Sequence, residues 1–346
     1  MDNPAFPFIQ DEDTLDEVMT RPRPVLVEMI RSVRSPLVIL GAGGKMGPTL
    51  AVLAKRAAEA AKHPLEVIAV SRFSNPQARA WLEGRGVRTL SLDLMERAAY
   101  ARLPDSENIA YLVGLKFGTS SNPALTWATM TLPAAFTCER YPQARIAALS
   151  SGNVYPLTPV DGSGSSEDVP LTPLGEYSNA CVARERIFEY FSLQNGTPLV
   201  LIRLFYAVDL RYGVLMDLAQ KILRGEPVDV CMGYLNCIWQ GDANEFILRA
   251  LALAQSPPLA LNLTGPQPLA VRDLAAQLAH ALGRAVTFTG NEAGTALLAD
   301  CRRMVERLGP PPTPLDWMIR QTAHWAAAGG RTLNKPTHFE TRDGRY

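Results

Sequence analysis

Apolar positions along the chain fall into two rhythms, and the clearer one begins at Pro36. Pro36-Leu37-Val38-Ile39-Leu40 is a short continuous apolar run with β-branched residues, the pattern of a strand covered on both faces. Gly41-Ala42-Gly43-Gly44-Lys45-Met46-Gly47 follows at once, and then an Ala-rich segment over 48–62. Strand, glycine turn and helix is the reading that this order imposes. The alternation recurs in Val67 to Val70 with a helix over 76–84, then in Val87 to Leu92. Ile109 to Val113 comes next with a helix over 123–140, then Arg145 to Leu149, and a helix over 177–194 precedes Pro198 to Leu204. Strands alternating with helices predict βαβ units and a doubly wound, mostly parallel sheet of the α/β class.

The flanks read differently. Residues 11–34 form two short helical pieces broken at Pro22 and Pro24, so 1–35 is an N-terminal helical extension. After residue 205 the regularity weakens. A helix over 213–224, a strand from Val228 to Cys231, a helix over 242–254, a strand from Ala260 to Leu263 and a helix over 271–282 predict a smaller α/β lobe. Two further helices are expected over 295–308 and 314–328, separated by Gly309-Pro310-Pro311-Pro312. The chain therefore divides into 1–35, a dinucleotide-binding domain over 36–205, a substrate lobe over 206–328 that exchanges some elements with it, and a tail over 329–346. That tail concentrates Lys335, His338, Phe339, Glu340 and Arg342. Two readings of it stay open: a segment folded back over a pocket or onto a neighbouring subunit, and a frayed end.

Composition narrows the function. Thirty-four Lys and Arg balance thirty-four Asp and Glu across 346 residues, and no basic patch stands out, which argues against nucleic-acid or anionic-membrane partners. Five scattered Cys without a CxxC pair fit reduced thiols rather than a disulfide framework or a zinc site. His63, His280, His324 and His338 are not spaced as ligands, so no metal is expected. The acidic N-terminus and the lack of a long apolar run predict a cytoplasmic protein.

Gly41, Gly44 and Gly47 stand between a strand and a helix, where glycines let the backbone approach a pyrophosphate at the helix N-terminus. This is the Rossmann arrangement, and the alternative is a tight turn without a ligand. The second strand ends in Ser71-Arg72 with no carboxylate to take a ribose hydroxyl. A guanidinium suits a 2′-phosphate, with Lys45 as a second cation, so NADP is favoured and NAD stays open. Asp93-Leu94 after the third strand is placed to close the adenine side.

These residues, with Ser150-Ser151-Gly152-Asn153-Val154-Tyr155-Pro156, Pro173-Leu174-Gly175-Glu176-Tyr177 and Leu261-Asn262-Leu263-Thr264-Gly265, give a chain that resembles the extended short-chain dehydrogenase/reductases, the NAD(P)-dependent epimerase/dehydratase family, over roughly 36–285. The resemblance implies a Rossmann domain, a smaller substrate lobe and hydride chemistry on the hydroxyl or carbonyl of a sugar, sugar nucleotide or related compound. It assigns Ser151 to the reacting oxygen and Tyr177 to proton exchange. Gly114-Leu115-Lys116 resembles a cofactor-contacting loop, Asn153 and Tyr206 fall at substrate positions, and dimers through the helices at 123–140 and 177–194 are common. Trp239 and Asn236 are further candidates facing the substrate cleft, while Asp242 is placed to cap the helix that follows.

One departure stands out. The family's Lys, four residues after the Tyr, is Cys181 here, and Met130 stands near the expected position of an Asn. Three readings follow. Arg184 or Lys116 supplies the missing positive charge; Cys181 acts in its own right; or the domain binds NADP(H) without turning it over, as a sensor or scaffold.

Overall fold

The structure is a computed structural model and describes residues 6–115, 119 and 121–345. Seven strands make one parallel sheet: β1 (Leu37–Leu40), β2 (Val67–Ser71), β3 (Arg88–Ser91), β4 (Asn108–Tyr111), β5 (Arg145–Ser151), β6 (Leu199–Leu204) and β7 (Leu259–Leu263). They lie in the order β7-β6-β5-β4-β1-β2-β3, the doubly wound arrangement that the strand–helix alternation predicts. Successive side chains of β1 serve opposite faces. Leu37 and Ile39 enter one core, and Val38 and Leu40 the other, so both faces need covering.

Eleven helices are used below: α1 (Glu12–Met19), α2 (Pro24–Met29), α3 (Gly47–Ala60), α4 (Pro76–Glu83), α5 (Pro123–Arg140), α6 (Glu176–Asn195), α7 (Val214–Arg224), α8 (Gln240–Ala250), α9 (Val271–Leu282), α10 (Arg302–Leu308) and α11 (Leu315–Ala327). The alanines of α3 lie flat on one face of the sheet beside α8, while Phe188 of α6 packs on the other face against Tyr111. Gly47 makes the approach of α3 possible, since a Cβ there would meet the Ala42 carbonyl oxygen at 2.4 Å.

The boundary read at residue 205 is crossed twice, because α8 and β7 return to the Rossmann layer. A second core gathers α7, α9 and α11. The N-terminal extension serves both: Ile9, Leu15 and Met19 enter the second core, and Leu26 and Ile30 the first.

The helix expected over 295–308 is confined to α10, and the expectations for three side chains of the second lobe change. Trp239 is buried in that lobe's core, where its ring meets Trp317 edge to face at 5.2 Å, so it does not reach a substrate cleft. Asn236 is buried between loops, its amide donating to the Gly265 carbonyl and its oxygen accepting from the Ala299 N–H at 3.0 Å. Asp242 lies inside the first turn of α8, whose cap is Trp239, and accepts the Thr313 N–H at 3.0 Å.

Burial pushes the Asp242 carboxyl up to about 6. A folded-state value above the unfolded one means that stability present below about pH 4 is lost as pH rises through about 6. Asp242→Asn keeps an acceptor for Thr313 and removes the ionisation. We expect it to raise stability at pH 7.5 by roughly 1–3 kcal/mol and leave it unchanged at pH 4. Urea melts of both chains at the two pH values check this, and equal shifts at both would refute it.

Candidate active site

The C-terminal ends of β1, β4, β5 and β6 open onto a cavity of about 910 Å³. The glycine loop forms its floor. Gly41 has φ +82, and a Cβ there would sit 2.7 Å from the Val113 nitrogen, so the loop lies directly against the turn after β4. A Cβ on Gly43 would meet the Ser71 hydroxyl at 2.5 Å, whereas Gly44 has only the Gly41 carbonyl oxygen at 3.6 Å and faces open space. With Met46 at the N-terminus of α3, this cradle of bare backbone fits a dinucleotide pyrophosphate.

The cation pair expected for a 2′-phosphate is not assembled. Lys45 turns the other way, donating to the Ala207 carbonyl oxygen at 2.6 Å and lying 4.2 Å above the Tyr212 ring, so it ties the glycine loop to the second lobe. The Arg72 side chain is 75% exposed and stands 4.0 Å from Asp93. Ser71 packs against Gly43 and Leu94 enters a core; Ser71, Arg72, Asp93 and Leu94 all lie off the cavity wall.

The opposite end gathers the Ser, Tyr and Arg side chains singled out by the sequence. Gly175, at φ +85, starts α6, and Tyr177, Cys181 and Arg184 fall at i, i+4 and i+7 along one stripe of the helix. Ser151 at the end of β5 hydrogen-bonds the Tyr177 hydroxyl and also accepts the Asn153 N–H at 3.2 Å. Burial raises the Tyr177 phenol well above its ordinary value and the neighbouring Cys181 adds to this, while Ser151 and Arg184 pull it down. The Arg184 guanidinium is buried, donating to the Val113 carbonyl oxygen at 3.2 Å beside the Met130 sulfur at 3.4 Å. Cys181 is packed with Met130, Val154 and Phe205 in an apolar cluster. A guanidinium beside a phenol and a hydroxyl can stabilise a tyrosinate, which a buried thiol in apolar surroundings cannot. Gly114, Asn153 and Tyr206 also line the cavity, and Lys116 lies outside the described residues.

Behind this wall stands a buried network that motif reading does not assemble. The Ser150 hydroxyl donates to Glu185 at 2.5 Å, and Arg203 donates to Glu185 at 2.8 Å and to the Tyr155 hydroxyl at 2.6 Å. Tyr155 in turn donates to Asn262 at 2.8 Å, and the Asn262 N–H to Glu167 at 2.8 Å. The signal in the sequence is a charge within an otherwise apolar strand, Arg203 in Leu199-Val200-Leu201-Ile202-Arg203-Leu204. The tail also takes a place: Arg331, Leu333, Lys335 and Thr337 line the cavity. So do Glu12 and Asp16 of α1, which carry no motif. Among the described residues, no cluster of His, Cys, Asp and Glu could hold a metal, and no helix is long and apolar enough to cross a membrane.

A seven-stranded parallel sheet with a glycine cradle at one end of its cleft and a Ser–Tyr pair at the other defines the extended short-chain dehydrogenase/reductase class. The model of the NAD dependent epimerase/dehydratase family matches residues 37–244, and the chain belongs to that family. Its fold is that of solved members. A UDP-glucose 4-epimerase from Thermotoga maritima, solved with UDP-glucose, aligns with TM-score 0.68 and 17% identity over 85% of this chain and 99% of the other. A dTDP-glucose 4,6-dehydratase from Bacillus anthracis, in complex with NAD, aligns with TM-score 0.72 and 13% identity over 85% and 97%. A UDP-glucose 4-epimerase from Thermus thermophilus, in complex with NAD, aligns with TM-score 0.67 and 17% identity over 84% and 98%. No curated protein matches the sequence.

Proposed function

We propose that the protein is a nicotinamide-dependent oxidoreductase, epimerase or dehydratase acting on the hydroxyl or carbonyl of a sugar-type substrate. The observation that carries this reading is Tyr177 held against Ser151 and overlooked by Arg184, in the cavity that the glycine loop floors. Hydride exchange is the chemistry that a bound nicotinamide supplies. Ser151 orients the reacting oxygen, Tyr177 gives or takes its proton, and Arg184 provides the positive charge that Cys181 cannot. The solved relatives were crystallised with NAD and with UDP-glucose, which supports the same classes of ligand here.

For the cofactor we favour NADP, with NAD as the alternative, because the end of β2 offers Arg72 and no carboxylate. Fluorescence titration of cofactor-free protein with NADPH and with NADH tests the reading. NADPH should bind more tightly, equal affinities would remove the role given to Arg72, and binding of neither would remove the enzyme reading altogether.

One observation favours a second reading, a non-catalytic NADP(H) sensor or scaffold: Tyr177 is buried against Cys181 rather than a Lys, and burial raises its phenol well above the ordinary value. Oxidation or reduction of bound cofactor by any member of a sugar panel would exclude it. The outer faces of α5 and α6 carry exposed Leu125, Trp127, Leu132, Tyr190 and Leu193. We read them as the contact of a homodimer, and a single-chain mass in sedimentation would refute that.

A further inference from the structure

The cleft has a wall that neither the glycine loop nor the Ser–Tyr pair explains. Helix α1 supplies Glu12 and Asp16 to the cavity, and the segment after α11 supplies Arg331, Leu333, Lys335 and Thr337. They are bound to each other and to both lobes. The Asp16 carboxylate accepts the Trp81 indole N–H at 2.9 Å from α4 in the Rossmann layer, and Arg211 at 3.0 Å from the loop before α7. Arg211 also faces Asp209 at 3.4 Å and Glu12 at 3.6 Å. Glu12 pairs with Arg331, which holds its carboxyl below the usual range. Glu17, one turn beyond Asp13, meets Arg56 of α3 at 2.8 Å.

From Arg331 the chain runs along the cavity and is fastened at intervals. The Leu333 N–H donates to the Arg211 carbonyl oxygen at 2.8 Å, and the Thr337 hydroxyl and N–H both donate to Asp217, at 2.6 and 2.8 Å. Phe339 is buried in the second core, and Arg342 donates to the Thr295 carbonyl oxygen at 2.6 Å. Gly344 then lies against Leu174 and Gly175, two residues ahead of Tyr177. The segment thus joins the ion cluster at one end of the cleft to the start of the catalytic helix at the other. Among these fastenings, the ion cluster is built from opposed charges on three separate parts of the chain. The side chains of Asp16 and Arg211 are 14% and 11% exposed, so their pairing is poorly screened by solvent.

We propose that α1 and the segment 329–345 form an ionic clasp over the occupied cleft, and that Glu12 and Asp16 set the rate at which a bound nicotinamide dinucleotide leaves. This rests on the cofactor reading above. Glu12 and Asp16 are positioning residues, acting through Arg211 and Arg331.

The test is the release rate of NADPH and NADH, followed by stopped-flow displacement, in Glu12→Gln, Arg331→Gln and the double variant, with Asp16→Asn as a further probe. Each single variant should release cofactor about threefold to fivefold faster, and the double by less than the product of the two singles, because the two residues share the Glu12–Arg331 pair. Glu12 and Arg331 are the exposed pair that salt reaches, so raising the salt should speed release from the unsubstituted chain and leave the double variant nearly unchanged. Glu12 and Arg331 are partly exposed, so their variants should fold; a lowered Tm in Asp16→Asn leaves the Glu12–Arg331 cycle to decide. Unchanged or additive release rates overturn the clasp alone. Failure of the unsubstituted chain to bind either cofactor overturns the clasp and the proposed function together.

Discussion

Tyr177→Phe is expected to lower turnover by about 10²–10⁴-fold while NADPH and NADH bind as they do to the unsubstituted chain. The phenol lies against Ser151 at the far end of the cavity from the glycine loop, so removing one oxygen deletes the proton carrier and leaves the pyrophosphate cradle intact. Because burial raises the phenol above its ordinary value, the direction of reaction that needs a tyrosinate should speed up as pH rises through the neutral range. Arg184 pulls in the opposite sense, so Arg184→Met should displace that limb to higher pH. A steady-state pH profile with cofactor affinities measured alongside decides both points. Turnover surviving in the Phe variant, or cofactor affinity lost with it, would remove Tyr177 from the chemistry.

Arg203→Met should cost about 3–5 kcal/mol of stability, the largest loss we expect from one substitution. The guanidinium is the hub of the buried network, and its removal leaves the Glu185 carboxylate enclosed with Ser150 as its remaining partner among the described contacts. Replacing both partners, Arg203→Met with Glu185→Leu, should recover much of the loss, since an apolar pair leaves no charge to bury. Urea melts of the single and double variants report both outcomes. A single variant as stable as the unsubstituted chain would mean that the pair contributes nothing.

How much of this could be read from residue order depends on the distance over which each signal acts. The strand over Leu37–Leu40, the glycine turn and α3 are local: an apolar run, bare backbone and an alanine face announce themselves within 25 residues. Tyr177, Cys181 and Arg184 were legible for the same reason, as one helix stripe fixes their relation. Trp239 was misread because an aromatic near a strand end looks the same whether it faces a cleft or a core, and only Trp317, far along the chain, settles which. Lys45 lines the cavity, but its bond to the Ala207 carbonyl was not legible, because a backbone partner has no sequence signature. Asp242 follows a turn-like Gly241, yet α8 starts two residues earlier, so an expected cap became a buried acid. The wall made by Glu12, Asp16 and Arg331 was beyond sequence reading, because its ion pairs join α1 to Arg211, 195 residues from Asp16, and to Arg331 near the other end of the chain.

Those long-range pairs also govern when the cleft can exist. The Trp317 indole donates to the Phe6 carbonyl oxygen, and Gln321 accepts the Ile9 N–H, so the segment that carries α1 is anchored on α11. During synthesis the glycine loop emerges early and can fold with its neighbouring helices, and α1 can meet Trp81 and Arg56 there, but the segment leading into α1 gains its α11 anchor only once α11 has left the ribosome. Closing contacts so far apart in sequence is slow compared with forming a βα unit. Completion of this wall of the cleft is thereby deferred to the nearly finished chain.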